Sequence, residues 1–308
     1  MINNDTIKAL SGLLGGRLRL GEPMSLHTTF KTGGAAALFL MPKTEDELAS
    51  ALRILKESGV PYYIMGNGSN LLVSDAGYAG AVVRIGAGFD SVGHIGGTLL
   101  YAGAGTLLSA VCAQAQKAGL CGLEFAAGIP GTLGGGITMN AGAYGGELKD
   151  FVEYVRVLTP DLQKKEIPNK DMQFSYRKSN VLQKGYIILG AGFVLPKGDV
   201  RESQKKVAEL NTQRRAKQPL GQKSAGSTFK RPEGHYAGVL IEQCGLKGCN
   251  IGGAQVSELH AGFIINTGGA TSMDIYQLIM HVRRTVHEQT GVMLEPEVKL
   301  LGEFPCIE

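Results

Sequence analysis

Three polar side chains stand where chemistry could be done: Arg177 in "FSYRKSN" (174–180), Ser227 in "SAGSTFKRP" (224–232) and Glu297 in "LEPEVKLLG" (294–302). Arg177 sits between Tyr176 and Lys178, with Ser179 and Asn180 next; by itself such a run reads as a solvated basic turn. Alternation along 294–302 puts Glu295 and Glu297 on one face and Leu294, Pro296 and Val298 on the other. Glu297 is then either a carboxylate on the wet side of a strand or a buried acid. The residues before Ser227 nearly reproduce a phosphate-binding P-loop, with four residues between Gly221 and Gly226. Ser227 occupies the place of the required Lys, and a strand-like segment follows instead of a helix, so the P-loop reading fails.

Two glycine-dense turns offer main chain in place of side chains. In "GNGSNLL" (66–72), Gly66 and Gly68 straddle Asn67, with Ser69 and Asn70 next. Such a turn can enter φ > 0, approach a ligand closely and aim successive N–H groups at an anion. The second is "GIPGTLGGGITMNAGAYGG" (128–146), part of a stretch of 22 residues without a charge, eight of them Gly. It is long enough to span a bilayer, but its glycines and Pro130 make a poor helix, and non-helical backbone is not tolerated in lipid. Buried main chain needs hydrogen-bond partners. A flat, polar-edged ligand such as a flavin with its pyrophosphate would supply them; a glycine-rich core crossing is the plain alternative. The shared-cradle reading takes in Gly66, Asn67, Gly68, Ser69, Asn70, Gly128, Pro130, Gly131, Thr132, Gly134, Gly135, Asn140 and Gly142.

These groups need rigid elements to hold them. Hydrophobic periodicity predicts a strand over 37–42, a helix over 44–59 with a Thr44…Glu47 capping box, and a strand ending at the first glycine turn. A helix is predicted over 106–119 before the second turn, strands over 151–160 and 186–196 after it, and a polar bridging helix over 199–217. The remainder alternates strand and helix, with a helix over 272–291 and a final strand over 294–304. The first 18 residues read as an amphipathic helix with no signal-peptide pattern. Neither glycine turn carries His or Cys, so a covalently tethered flavin is not expected.

Bulk properties narrow the class. The chain has 308 residues, 44% hydrophobic, with a net charge of +4 and a pI near 8.7. That suits an anionic small molecule and argues little for nucleic acid. The five cysteines are odd in number and lack CxxC spacing, so disulfides and zinc are not expected and a reducing cytoplasm fits. The six histidines form no metal-ligand cluster. Gly103 and Gly105 are not followed by a third Gly at 108, so a Rossmann dinucleotide site is unsupported.

The motifs "HTTFKTGG", "GNGSNLL", "AAGIPGTLGGGITMNAGAYG", "YRKSN", "AGSTFKRP" and "EPEV" occur in that order. Together they resemble the UDP-N-acetylenolpyruvoylglucosamine reductase family over about residues 20–302. The resemblance implies an α+β chain with a two-subdomain FAD-binding unit of the vanillyl-alcohol-oxidase (PCMH) type and a C-terminal α+β substrate-binding domain. The expected divisions are 1–20 (N-terminal helix), 21–90 and 91–200 (FAD-binding subdomains) and 201–308 (substrate domain). It also implies non-covalent FAD, NADPH as co-substrate, and reduction of an enolpyruvyl ether to UDP-N-acetylmuramate for peptidoglycan synthesis in the cytoplasm, without nucleic acid or a membrane span.

By resemblance Arg177, Ser227 and Glu297 are the catalytic set. Arg177 stabilises an enolate-like dianion, Ser227 donates the proton, and Glu297, its pKa raised by burial, donates a hydrogen bond as the neutral acid. An alcohol oxidase on the same fold would need a base that removes a proton instead. Only eight residues separate Arg177 from Tyr186, so the inserted tyrosine clamp of longer members cannot be carried over. Lys217, Lys223, Lys230 and Arg231 are left, on charge and position, as candidates for the substrate's diphosphate, and Tyr176 as a further substrate-binding candidate.

Overall fold

A computed structural model describes residues 2–305. Cys306, the last of the five cysteines, lies outside them, as do 307 and 308 at the end of the expected substrate domain and residue 1 before the first helix. The described residues form two compact units: one takes those up to Arg19 with Leu38–Gly66 and Ala81–Gln213; the other takes Leu20–Ala37, Asn67–Gly80 and the described residues from Arg214 on.

The first unit is built on a five-stranded antiparallel sheet. Its order is Lys164–Pro168, Val152–Leu158, Ile187–Val194, Leu99–Gly103, Val92–Gly96. The strand Ile187–Val194 is central and is buried at every position but the last. Its Gly190 and Gly192 are required by packing: a Cβ there would strike the Tyr101 hydroxyl at 2.2 Å and the Tyr154 ring at 2.3 Å. The same unit holds a parallel strand pair, Tyr62–Met65 beside Ala81–Arg84, and the helices Asn4–Leu14 and Glu45–Glu57.

The helix Glu45–Glu57 begins at an N-cap, Thr44, whose hydroxyl accepts from the Glu47 amide at 3.1 Å. The expected capping box is only half made. Instead of returning to Thr44, the Glu47 carboxylate takes the Lys43 amide at 2.8 Å and the Arg17 guanidinium, because a charged donor fork outcompetes one neutral N–H. The bridging helix is present as Val200–Lys217, with only Ser203 and Leu210 buried.

The second unit centres on the antiparallel order Lys223–Ser227, Phe263–Asn266, Ala254–Val256, Asn250–Ile251, with the helices Ala237–Gln243 and Ser272–Thr290 in the same unit. Leu71–Val73 pairs in parallel with Lys299–Leu301. The final strand is therefore shorter than the expected 294–304. Residues 295–298 precede it outside any strand, joined to 228–230 by an isolated bridge between Phe229 and Pro296.

Candidate active site

In the first unit Gly66, the opening residue of one glycine turn, lies against Thr132 of the other. A Cβ on Gly66 would lie 2.2 Å from the Thr132 hydroxyl, so Gly is required there for the first turn to reach the second. The charge-free run is not all loop. Thr132 caps a short helix, Leu133–Thr138, in spite of its three glycines. Tertiary packing overrides propensity here. Gly134 donates its amide to the Ala104 carbonyl at 2.8 Å, and a Cβ on it would press on Ala104 at 3.2 Å, while Leu133 and Ile137 are fully buried.

Several glycines of the run thus answer to neighbouring protein. Gly136 faces Leu108 and Leu148, and Gly142 and Gly146 lie against Glu147 and Phe125. Gly135 is different: it is exposed, with no atom within 4 Å of where its Cβ would stand. Gly131 has φ +132°, a glycine conformation. Pro130, beside it, is exposed, and Gly128 is half-buried. Room for main-chain approach, the Thr132 hydroxyl and the lack of any charge from 125 to 146 fit an anionic, flat cofactor such as FAD. The flanking acids do not intrude: Glu124 accepts from the Gly122 amide at 2.9 Å, and Glu147 pairs with Lys149 at 2.8 Å.

Arg177 sits at the tip of a hairpin closed by reciprocal Ser175 and Lys178 main-chain bonds of 2.9 and 3.2 Å. Its φ is +52°, a conformation ordinarily left to Gly or Asn. The guanidinium lies over the exposed Tyr176 ring, 5.1 Å from its centroid, and Nη2 donates to the Gly142 carbonyl at 2.9 Å. Asn140 is fully buried and spends its amide on protein, so the geometry ties it to the Arg177 hairpin: Nδ2 donates to the Ser175 carbonyl and to Glu147 Oε2, both at 3.0 Å.

In the second unit Ser227 ends the strand Lys223–Ser227 with its side chain exposed. The next residue, Thr228, accepts the Glu297 amide at 2.8 Å, and Lys230 donates its amide to the Glu295 carbonyl at 2.8 Å. Ser227 and Glu297 therefore stand on adjoining antiparallel stretches. Glu297 is half-buried. Asn70 brackets it: its Nδ2 donates to the Glu297 carbonyl at 3.1 Å, and its own carbonyl accepts the Lys299 amide at 3.1 Å. Asn67, Gly68 and Ser69 complete this turn, and the Thr29 amide donates to the Gly68 carbonyl at 3.2 Å. That bond gives the "HTTFKTGG" motif a task that its sequence did not disclose.

Of the diphosphate candidates, Lys217 and Lys223 are exposed, and Lys230 pairs with Glu295. Arg231 stacks on Tyr236, 4.1 Å from the ring centroid. A cavity of about 730 Å³ is lined by Arg215, Gln218, Leu220, Gln222, Gln255 and Ser257 among others. Sequence reasoning missed it because its walls come from two separate segments, 215–222 and 255–265. Burial pushes the Cys112 thiol up to about 12, which removes it from thiolate chemistry. Among the described residues no group of three or more His, Cys, Asp or Glu could hold a metal ion, and no helix is long and apolar enough to cross a membrane.

Two family models match the chain: an FAD binding domain over residues 36–162, and the C-terminal domain of UDP-N-acetylenolpyruvoylglucosamine reductase over 218–301. These matches define an FAD-dependent oxidoreductase, with the α+β architecture of FAD-binding unit and C-terminal domain expected from the sequence. A UDP-N-acetylenolpyruvoylglucosamine reductase from Caldanaerobacter subterraneus subsp. tengcongensis is 50% identical over 94% of this chain and 95% of its own. One from Clostridioides difficile is 47% identical over 93% and 94%. The solved UDP-N-acetylenolpyruvylglucosamine reductase from Thermus caldophilus is 35% identical, covers 92% of this chain and 98% of its own, and superposes with a TM-score of 0.79. The chain belongs to the UDP-N-acetylenolpyruvoylglucosamine reductase family.

Proposed function

We propose that this protein reduces the enolpyruvyl group of UDP-N-acetylenolpyruvoylglucosamine to UDP-N-acetylmuramate, with NADPH as the electron source, in cytoplasmic peptidoglycan precursor synthesis. The observation that carries the reading is the adjacency of Ser227 and Glu297, fixed by the 2.8 Å bond between the Glu297 amide and the Thr228 carbonyl. When bound, FAD supplies to the methylene carbon the hydride it has taken from NADPH.

The chain's own residues then have two tasks. Charge develops on the carbon next to the methylene and spreads into the substrate carboxylate. Arg177, held at Gly142 and Tyr176, is the permanent cation that stabilises it. The Ser227 hydroxyl gives its proton to that carbon and regains one from solvent. A hydroxyl is a weak acid, yet a carbanion is a stronger base still, so the transfer runs downhill. Glu297 serves as the neutral acid, since an ionised carboxylate would repel the developing charge.

The nucleotide end of the substrate is assigned to the cavity at Arg215, Gln218 and Gln255. Its wall residue Ile265 pairs with Ser224 on the strand that ends at Ser227. Three strand residues span about 10 Å, so an elongated substrate held at Ser227 can extend to the cavity. Arg215→Ala should raise KM and leave kcat alone; a change in kcat without one in KM would remove the cavity from the reading.

The central test separates the two half-reactions. In Ser227→Ala, NADPH should still bleach the flavin, while reoxidation by the enolpyruvyl sugar nucleotide should fall by about 10²-fold or more, the scale of a lost general acid. Loss of both steps, or of neither, would refute the role given to Ser227.

A further inference from the structure

Four of the six non-glycine residues with left-handed backbone among the described residues fall in two short stretches. Asn140 (φ +43°) and Tyr144 (+52°) belong to one, Gln173 (+50°) and Arg177 (+52°) to the other. Three bonds from side chain to main chain interlock them. Ser179 Oγ donates to the Thr138 carbonyl at 2.8 Å, Asn140 Nδ2 to the Ser175 carbonyl at 3.0 Å, and Arg177 Nη2 to the Gly142 carbonyl at 2.9 Å. Alternate residues 138, 140 and 142 of one segment thus each hold one residue of the hairpin that carries the arginine.

Asn140 is the centre of this seat. It is 0% exposed. Its NH₂ group serves both the Ser175 carbonyl and Glu147 Oε2, and its carbonyl oxygen accepts the Lys149 amide at 3.1 Å. Strained backbone persists only where the surroundings over-determine it, and such positions gather where geometry is functional. We propose that Asn140 and Ser179 are positioning residues for the Arg177 guanidinium, and that the 138–142 segment, beyond its place in the cofactor run, is the rigid seat that aims it. The inference rests on the reading of Arg177 as stabiliser of the enolate-like charge. It also separates Asn140 from the flavin ligands among which its motif would group it.

The test uses the FAD-loaded enzyme reduced with dithionite, so that NADPH plays no part, mixed anaerobically with UDP-N-acetylenolpyruvoylglucosamine. Flavin reoxidation should be about 10- to 100-fold slower in Asn140→Ala and in Ser179→Ala, the cost of a misplacement of about 1 Å. FAD affinity and the oxidised flavin spectrum should be unchanged. In an Arg177→Ala background neither substitution should slow the reaction further, because residues that act through one group are not additive. Amide exchange at 175–178 should quicken in both variants. Release of FAD by Asn140→Ala, or an equal slowing with and without Arg177, would overturn the proposal. Should Asn140→Ala fail to fold, Ser179→Ala decides alone: a parental rate and parental exchange would overturn it. Arg177→Ala reoxidising at the parental rate would instead sink the catalytic reading of Arg177, a result read independently of the exchange data.

Discussion

The backbone at Arg177 sets function against local preference. A side chain at φ +52° costs about 1–2 kcal/mol in the left-handed region, and a β-branched one costs more. Gly or Asn would take that backbone at less cost, but neither would place a guanidinium at the tip of the hairpin. Arg177→Gly should therefore abolish turnover while changing unfolding free energy by less than about 1 kcal/mol, since relief of strain offsets the lost bond to Gly142 and the added chain entropy. Arg177→Val, which keeps a side chain at the same φ, should be less stable than Arg177→Gly by about 1–2 kcal/mol. Urea denaturation of the two variants checks the order. Equal stabilities would mean that the turn relaxes once the guanidinium is gone, and that no strain is stored there.

At the scale of elements, the helix Glu45–Glu57 is anchored by an ion pair that pH can switch off. The Arg17 hydrogen bond, then the Lys43 amide, hold the Glu47 carboxyl at about 2 in the folded chain against an ordinary 4.5. A carboxyl with a depressed folded pKa binds fewer protons folded than unfolded. Its contribution is therefore complete above about pH 4.5 and is lost as pH falls toward 2. Solvent reaches the pair, so screening leaves about 0.5–1 kcal/mol. Glu47→Gln should be less stable by that amount at pH 7, with the difference closing in acid; a gap that persists at low pH would assign the effect to packing. This pair also marks where sequence reading stops. The Thr44 cap, the helix over Val200–Lys217 and the glycine turns were legible because their signals are local. The competitor for Glu47 lies thirty residues back, the acceptor of the Asn70 amide 227 residues on, and the helix Leu133–Thr138 exists only because Ala104 and the buried Leu133 and Ile137 favour it. Side-chain periodicity carries no record of such partners. For the same reason the sequence grouped Asn70 and Asn140 with the cofactor loop, while the structure shows their amides bonded to the main chain beside Glu297 and Arg177.

For the whole molecule, the decisive feature is two hydrophobic cores. One gathers Leu38, Leu52, Leu100, Val155, Ile188 and Phe193; the other gathers Phe30, Leu72, Ile241, Ile264, Ile279 and Val286. Cores without shared residues need not melt together, and a chain of two units departs from all-or-none unfolding. The FAD-free protein should therefore lose exchange protection in two steps as urea rises. Peptides from 100–115 and 187–195 would report one step, and peptides from 254–266 and 275–286 the other. FAD at about a hundred times its Kd should stabilise whatever contains its site by about 2.7 kcal/mol. Because the Gly66 and Thr132 contact and the Leu133–Thr138 helix belong to the first core's unit, peptides of that core should move to higher urea when FAD is added. The chain has no Trp, so mass-spectrometric exchange is better suited than intrinsic fluorescence to resolve the two steps. A shift confined to the 254–286 peptides would place the cofactor's binding energy away from the glycine turns; one coincident transition would show that the two cores unfold as a single cooperative structure even without the cofactor.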